Sequence, residues 1–200
     1  MIKAKENIIG WFDIETTSLN QLKGAIIEFG MVLLDKDKYV DELLIQMKPD
    51  QANDLIEEQS LSIQGRTLSE VMQYDDANTF LEKINAFFEK HKGILSKQGN
   101  KIYPAGHNIT SFDLNFLYQW VKRKFNINIF EKYFHFDQID TLSIVRNFIK
   151  WGNDKPKNFK LPTLTNFFGI QHENAHNALG DVKPNIELYY KLIELYKKNH

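Results

Sequence analysis

Short apolar runs and longer amphipathic stretches alternate along this chain, and their periods separate strands from helices. IIGWFDIE (8–15) is an apolar run ending in acids, the pattern of a buried strand. AIIEFGMVLLD (25–35) and YVDELLIQMKP (39–49), split by DKDK, predict a hairpin. Residues 53–74 are polar and broken and accommodate only short helices. ANTFLEKINAFFEKHKG (77–93) sets Phe80, Leu81, Ile84, Phe87 and Phe88 at helical spacing and predicts a helix stopped by Gly93. KIYPAGHN (101–108) reads as a strand, and SFDLNFLYQWVKRK (111–124) as a helix with Leu114, Leu117, Trp120 and Val121 on one face. Strand-like YFHFDQID (133–140) and helical TLSIVRNFIKW (141–151) follow. After the loop GNDKPKNFK come a short helix near LPTLTNFFG (161–169) and a long amphipathic helix over about 181–198.

Three strands, then helices, then strand and helix in alternation predict an α/β fold with a mixed central β-sheet flanked by α-helices. No linker divides the chain, so residues 1–200 are expected to form a single domain. The 42% apolar share supplies a substantial core. The formal net charge of −1 advertises no general basic field, although a groove can still be locally basic. With no cysteine, disulfides and thiolate metal sites are excluded. The first residues do not read as a signal peptide, and no apolar run approaches the ~18 residues of a membrane span. A soluble, cytoplasmic protein is expected.

Candidate chemistry lies in the acids. Asp13 and Glu15, two apart on a strand, share a face. Side by side they repel, which burial worsens and a cation between them relieves. Alone, they are as easily two solvated acids at a strand end. Asp113 and Asp181 each open a helix, where an acid can simply favour the N-terminus. Together the four can converge at one edge of a mixed sheet. Carboxylates are hard ligands suited to Mg²⁺ or Mn²⁺, and two such ions ~4 Å apart clamp the attacking and leaving oxygens of a phosphoryl displacement. His176, five residues before Asp181, has an ordinary pKa of about 6.5 suited to taking a proton from water.

The decapeptide HENAHNALGD (172–181) has a second parse. HENAH fits H-E-x-x-H, with His172 and His176 as zinc ligands, Glu173 as base and Glu194 as a third ligand. That pattern needs a helix, yet Gly169 and Gly180 flank it, and it leaves Asp13, Glu15 and Asp113 without a purpose.

FDIETT (12–17), GHNITSFDLNFL (106–117) and HNALGD (176–181) resemble, in order, the three motifs of the DEDDh 3′→5′ exonucleases. That family includes proofreading subunits of bacterial replicative polymerases and has a ribonuclease H-like fold. SIQGRTLSEV (62–71), FDQIDTLSIVR (136–146) and LPTLTNFFGI (161–170) are similar to its intervening segments. The resemblance implies that Asp13, Glu15 and Asp181 hold two catalytic ions, Mg²⁺ or Mn²⁺, that Asp113 completes the set, and that His176 deprotonates the attacking water. It implies that Thr16, Thr17 and Leu19 handle the 3′-terminal nucleotide and that Asn108 and Phe112 line its pocket. The implied substrate is the 3′ end of single-stranded DNA or RNA, and a proofreading role would require a polymerase or other replication or repair partner. A binding module of the same fold without catalysis is the alternative, but the four acids and the histidine are all present. Ser18 stands where many relatives have Gly. Pro184 follows Asp181 where a continuous helix is usual, so the last helix is expected to begin near Gly180 or Asp181, or to kink there. Lys150, Lys155, Lys157 and Lys160 are candidates for gripping phosphates, and His107 and His172 are expected to be structural or surface residues.

Overall fold

The computed structural model describes residues 7–172 and 177–199. Its centre is β1 (Ile8–Thr16), flanked by the antiparallel β2 (Ile26–Asp35) and the parallel β4 (Tyr103–Gly106). β3 (Lys38–Gln46) lies antiparallel to β2, and β5 (Ile139–Asp140) parallel to β4, giving the order β3-β2-β1-β4-β5. The expected mixed sheet is therefore present. The hairpin closes through Lys36 (φ 52°) and Asp37 (φ 69°), both left-handed, which matches the twist of a two-residue connection.

The apolar runs of β1 and β2 reflect cover on both faces. On one side Phe12 and Phe29 pack with Phe80 of α3 (Thr79–Lys90) and with Leu117 and Trp120 of α5 (Asp113–Phe125). On the other, Ile9, Trp11, Val32 and Leu34 meet Val182 and Tyr189 of α9 (Ala178–Asn199). Alternation along β1 thus carries Asp13 and Glu15 onto the α9 face, in line with Ile9 and Trp11.

Several boundaries differ from the sequence expectation. The helix at 77–93 ends at Lys90, and Gly93 falls inside a separate short helix, α4 (Lys92–Leu95), rather than capping α3. Residues 133–140 give only the two-residue β5 and a bridge from Phe134 to Ile102. Ile102 pairs with Phe134 but Ala105 with Ile139, so two extra residues must leave the ladder. Between α5 and β5 lies an unforeseen turn, α6 (Ile129–Lys132). The helix at 141–151 is shorter, α7 (Thr141–Asn147), and α8 is Leu161–Phe167. The polar segment holds α1 (Glu58–Ile63) and α2 (Leu68–Val71), short as expected.

The largest correction concerns the last helix. It starts at Ala178, not at Gly180 or Asp181, because Asn177 supplies the cap: its side-chain oxygen accepts the Gly180 amide at 3.1 Å, and its carbonyl the Asp181 amide at 2.9 Å. Pro184 sits in the second turn and leaves the Gly180 carbonyl without its usual donor. The helix start lies hard against the sheet at Gly30, where an added Cβ would come within 2.6 Å of the Leu179 nitrogen. Among the described residues no helix is long and apolar enough to cross a membrane.

Candidate active site

Asp13 and Glu15 come from the C-terminal half of β1, Asp181 from the first turn of α9, and Asp113 from the start of α5. One carboxylate oxygen from each of Asp13, Glu15 and Asp181 lies within 4.8 Å of the others. Asp113 is fixed beside them because its Oδ1 accepts the amide of Ile14 at 3.3 Å. Burial is the first cause that raises the Asp13 pKa, followed by the charges of Asp113, Glu15 and Asp181. Burial also lifts Glu15 to about 8, against the pull of Arg66. Asp113 rises to about 7, mainly through burial. So crowded a set, made only of carboxylates, fits a hard divalent cation and does not fit a zinc site built on histidine.

The acids stand where two clefts meet. One, of about 580 Å³, is lined by Asp13, Glu15, Asp113 and Asp181 together with His107, Asn108, Arg146, Asn158 and Lys160. The other, of about 700 Å³, is lined by Glu15, Thr16, Ser18, Leu19, Glu57, Ile63 and Gln64. Ile14, Glu15 and Phe112 belong to both. Leu19 and Ile63 are 75% and 62% exposed, two apolar side chains left in solvent at the second cleft.

Residues 11–189 match the exonuclease family model RNase_T. The chain belongs to this exonuclease family.

Its relatives include the PolC-type DNA polymerase III of Caldanaerobacter subterraneus, 29% identical over 92% of this chain, and that of Thermotoga petrophila, 26% over 93%. The chain spans only 11% and 12% of the length of those polymerases. The oligoribonuclease of Bordetella pertussis is 25% identical, with 94% of this chain matching 96% of it. Among solved structures, E. coli exonuclease I in complex with a dT13 oligonucleotide superposes with a TM-score of 0.74 at 20% identity, over 96% of this chain and 42% of that one. The fold is ribonuclease H-like.

Within this exonuclease fold the residues named from sequence fare differently. Asp13, Glu15, Asp113 and Asp181 are brought together. Thr16, Leu19, Asn108 and Phe112 line the clefts. Thr17 does not: it is fully buried, its hydroxyl donating to the Leu55 carbonyl at 2.7 Å and accepting the Ala25 amide at 2.9 Å. Its proton is therefore committed to Leu55, and the side chain has no exposed surface. His176 and Glu173 lie outside the described residues. His172 precedes α9 in non-helical chain, so the H-E-x-x-H array is not carried by that helix. Its Nε2 donates to Asp181 Oδ1, while Nδ1 stands 3.2 Å from the Thr165 hydroxyl. His107, which burial holds below its ordinary pKa, donates from Nε2 to the Phe159 carbonyl at 2.9 Å and meets Thr141 Oγ1 through Nδ1 at 2.8 Å. Of the four candidate lysines, Lys160 lines the first of these two clefts and the other three line neither.

Three contributors went unforeseen. Asp140, the cap of α7, also accepts the amides of Asn108 and Thr110, at 3.0 and 3.2 Å, and so holds the loop leading to Asp113. Arg146, on the exposed side of α7, joins Lys160 at the first cleft. Glu28 is wholly buried opposite Glu15 and paired to Arg66. A lone acid inside the apolar run AIIEFGMVLLD was the signal for it, since a buried charge needs a reason.

Proposed function

We propose that residues 1–200 act as a single exonuclease domain that removes nucleotides from the 3′ end of single-stranded DNA or RNA as nucleoside 5′-monophosphates. The carrying observation is the convergence of the Asp13, Glu15 and Asp181 carboxylates at the junction of two clefts. In this reading Asp13, Glu15 and Asp181 hold divalent cations, with Asp113 completing the set, and Mg²⁺ or Mn²⁺ suits these oxygen ligands. Two such ions, when bound, polarise the scissile phosphate and lower the pKa of a water. His176 accepts the proton of that water. Leu19, Ile63 and Phe112 give the second cleft an apolar lining for the terminal base, with Thr16 also on its wall. The upstream strand then leaves along the first cleft, where Arg146 and Lys160 face its phosphates. Among the described residues neither cation has an ion-pair partner, so both are available to an anion.

The similarity to PolC-type polymerases supports a proofreading module that works beside a polymerase, and the similarity to an oligoribonuclease supports an enzyme acting alone on short RNA. Matched 5′-labelled DNA and RNA oligonucleotides, incubated with Mg²⁺ or Mn²⁺, separate these. A ladder shortening from the 3′ end is expected. Absence of a metal-dependent ladder with both substrates would leave only a non-catalytic binding module.

A further inference from the structure

Glu28 is the most deeply buried acid near the site, and the proposed chemistry gives it no task. It stands directly across the β1–β2 pair from Glu15, at zero exposure. Two like charges opposite each other on neighbouring strands repel, and more so away from water. Three donors compensate. Arg66 Nη2 donates to Oε2 at 2.8 Å, Gln46 Nε2 to the same oxygen at 2.9 Å, and the backbone amide of Ala178 to Oε1 at 2.7 Å.

The last bond has the most consequence. Ala178 is the first residue of α9, and first-turn amides have no partner inside their helix. Asn177 satisfies Gly180 locally, but Ala178 is satisfied by a side chain 150 residues away in sequence. Gly30, two residues further along β2 and on the same face, lets α9 close to contact. The helix start, three residues before Asp181, is thereby fixed to the strand that neighbours Asp13 and Glu15. Arg66 comes from SIQGRTLSEV, a segment with no part in the chemistry so far, and its Nη1 is buried without a hydrogen-bond partner among the described residues. Its side chain is only 12% exposed.

We propose that Glu28 and Arg66 are positioning residues. Glu28 sets the start of α9, and with it the aim of Asp181, against Asp13 and Glu15. Arg66 makes a carboxylate tolerable at that place. The inference rests on reading Asp13, Glu15 and Asp181 as the metal site, but not on the substrate.

The test compares two double variants, because removing one partner of a buried pair leaves the other charge stranded. Glu28→Gln with Arg66→Met keeps an acceptor for the Ala178 amide, and Glu28→Leu with Arg66→Met does not. Mn²⁺ affinity, measured by electron paramagnetic resonance without substrate, is expected to stay within about threefold of wild type in the first. In the second it is expected to weaken by roughly 10- to 100-fold, the range seen when a residue that orients a metal ligand from outside the coordination shell is lost. Turnover should fall in parallel while KM for an oligonucleotide holds. Equal Mn²⁺ affinity in the two folded variants overturns the proposal. Should the leucine variant not fold, amide exchange in the metal-free wild type decides: slow exchange at Ala178 supports the anchor, and exchange at the rate of an open first-turn amide overturns it. Loss of Mn²⁺ binding in a protein that never cleaves nucleic acid would fail the exonuclease reading alone.

Discussion

The carbonyl oxygen of Phe159 accepts a hydrogen bond from His107 Nε2 at 2.9 Å, tying the segment ahead of α8 to the end of β4. That segment carries Asn158 and Lys160 into the first cleft. His107→Ala should free it at a cost of about 1 kcal/mol, the net worth of an ordinary hydrogen bond. The expected result is a several-fold rise in KM for an oligonucleotide with Mn²⁺ affinity unchanged. A shift in Mn²⁺ affinity alone would contradict this picture.

Arg146 and Lys160 should act on the strand by charge. Replacing both with Gln is expected to flatten the plot of log affinity against log salt by about 0.7 for each phosphate no longer neutralised. Replacing Lys155 and Lys157, which line neither cleft, should leave the slope alone. Binding titrations from low to moderate salt check both, and equal slopes for the two pairs would remove the cations from the strand's path.

The crowded acids make a sign prediction. Glu15 is raised from 4.5 to about 8 and Asp113 from 3.8 to about 7. A group whose folded pKa is raised favours the protonated folded state, so its stabilisation is present below the unfolded value and lost as pH rises through the folded one. Without metal, the melting temperature should therefore decline between about pH 4 and about pH 8 on account of these groups. Mn²⁺ should raise it more at pH 8 than at pH 6, where binding must first displace protons. Calorimetric melts at both pH values give the answer; a metal effect larger at pH 6 would count against the site.

Asp13→Asn should abolish cleavage and yet stabilise the metal-free chain, because it replaces a carboxyl whose ionisation is opposed by desolvation and by the neighbouring acids. The gain would appear as a rise of about 2–4 °C in melting temperature per kcal/mol for a chain of this size. A destabilised Asn variant would mean that the Asp13 carboxylate is held by structure rather than by a cation.

His176→Ala is expected to slow hydrolysis by roughly 10²–10⁴-fold while Mn²⁺ still binds. His172→Ala, losing a donor to Asp181, should change metal affinity at least as much as turnover. Full activity of the His176 variant beside a dead His172 variant would exchange their roles.

How much of this was legible beforehand depends on the range of the interaction. Asp13 and Glu15 could be placed on one face because strand alternation is local, and the packed face of α5 followed from helical spacing in the same way. The start of α9 was misplaced because Pro184 was weighed as a local breaker, while its cap, Asn177, and its anchor, Glu28, went unread. Thr17 looked available from its place in the motif, but its hydroxyl is taken by Leu55 and Ala25, which only the folded chain brings near. The two-residue β5 was read as a longer strand because the offset that expels residues from the edge appears only in the pairing with β4. Arg146 went unnoticed for a like reason: the wall of a cleft is made by elements far apart in sequence.

Ile14, Glu15 and Phe112 form a wall common to both clefts. Kinetic effects at these three positions therefore cannot be divided cleanly between grip and reaction. In the proposed reading, a side chain altered there would meet the departing nucleotide on one side and the remaining strand on the other. Turnover and apparent affinity should shift as one quantity, and a fragment or inhibitor that spans the wall would gain from both sides of it in a single molecule.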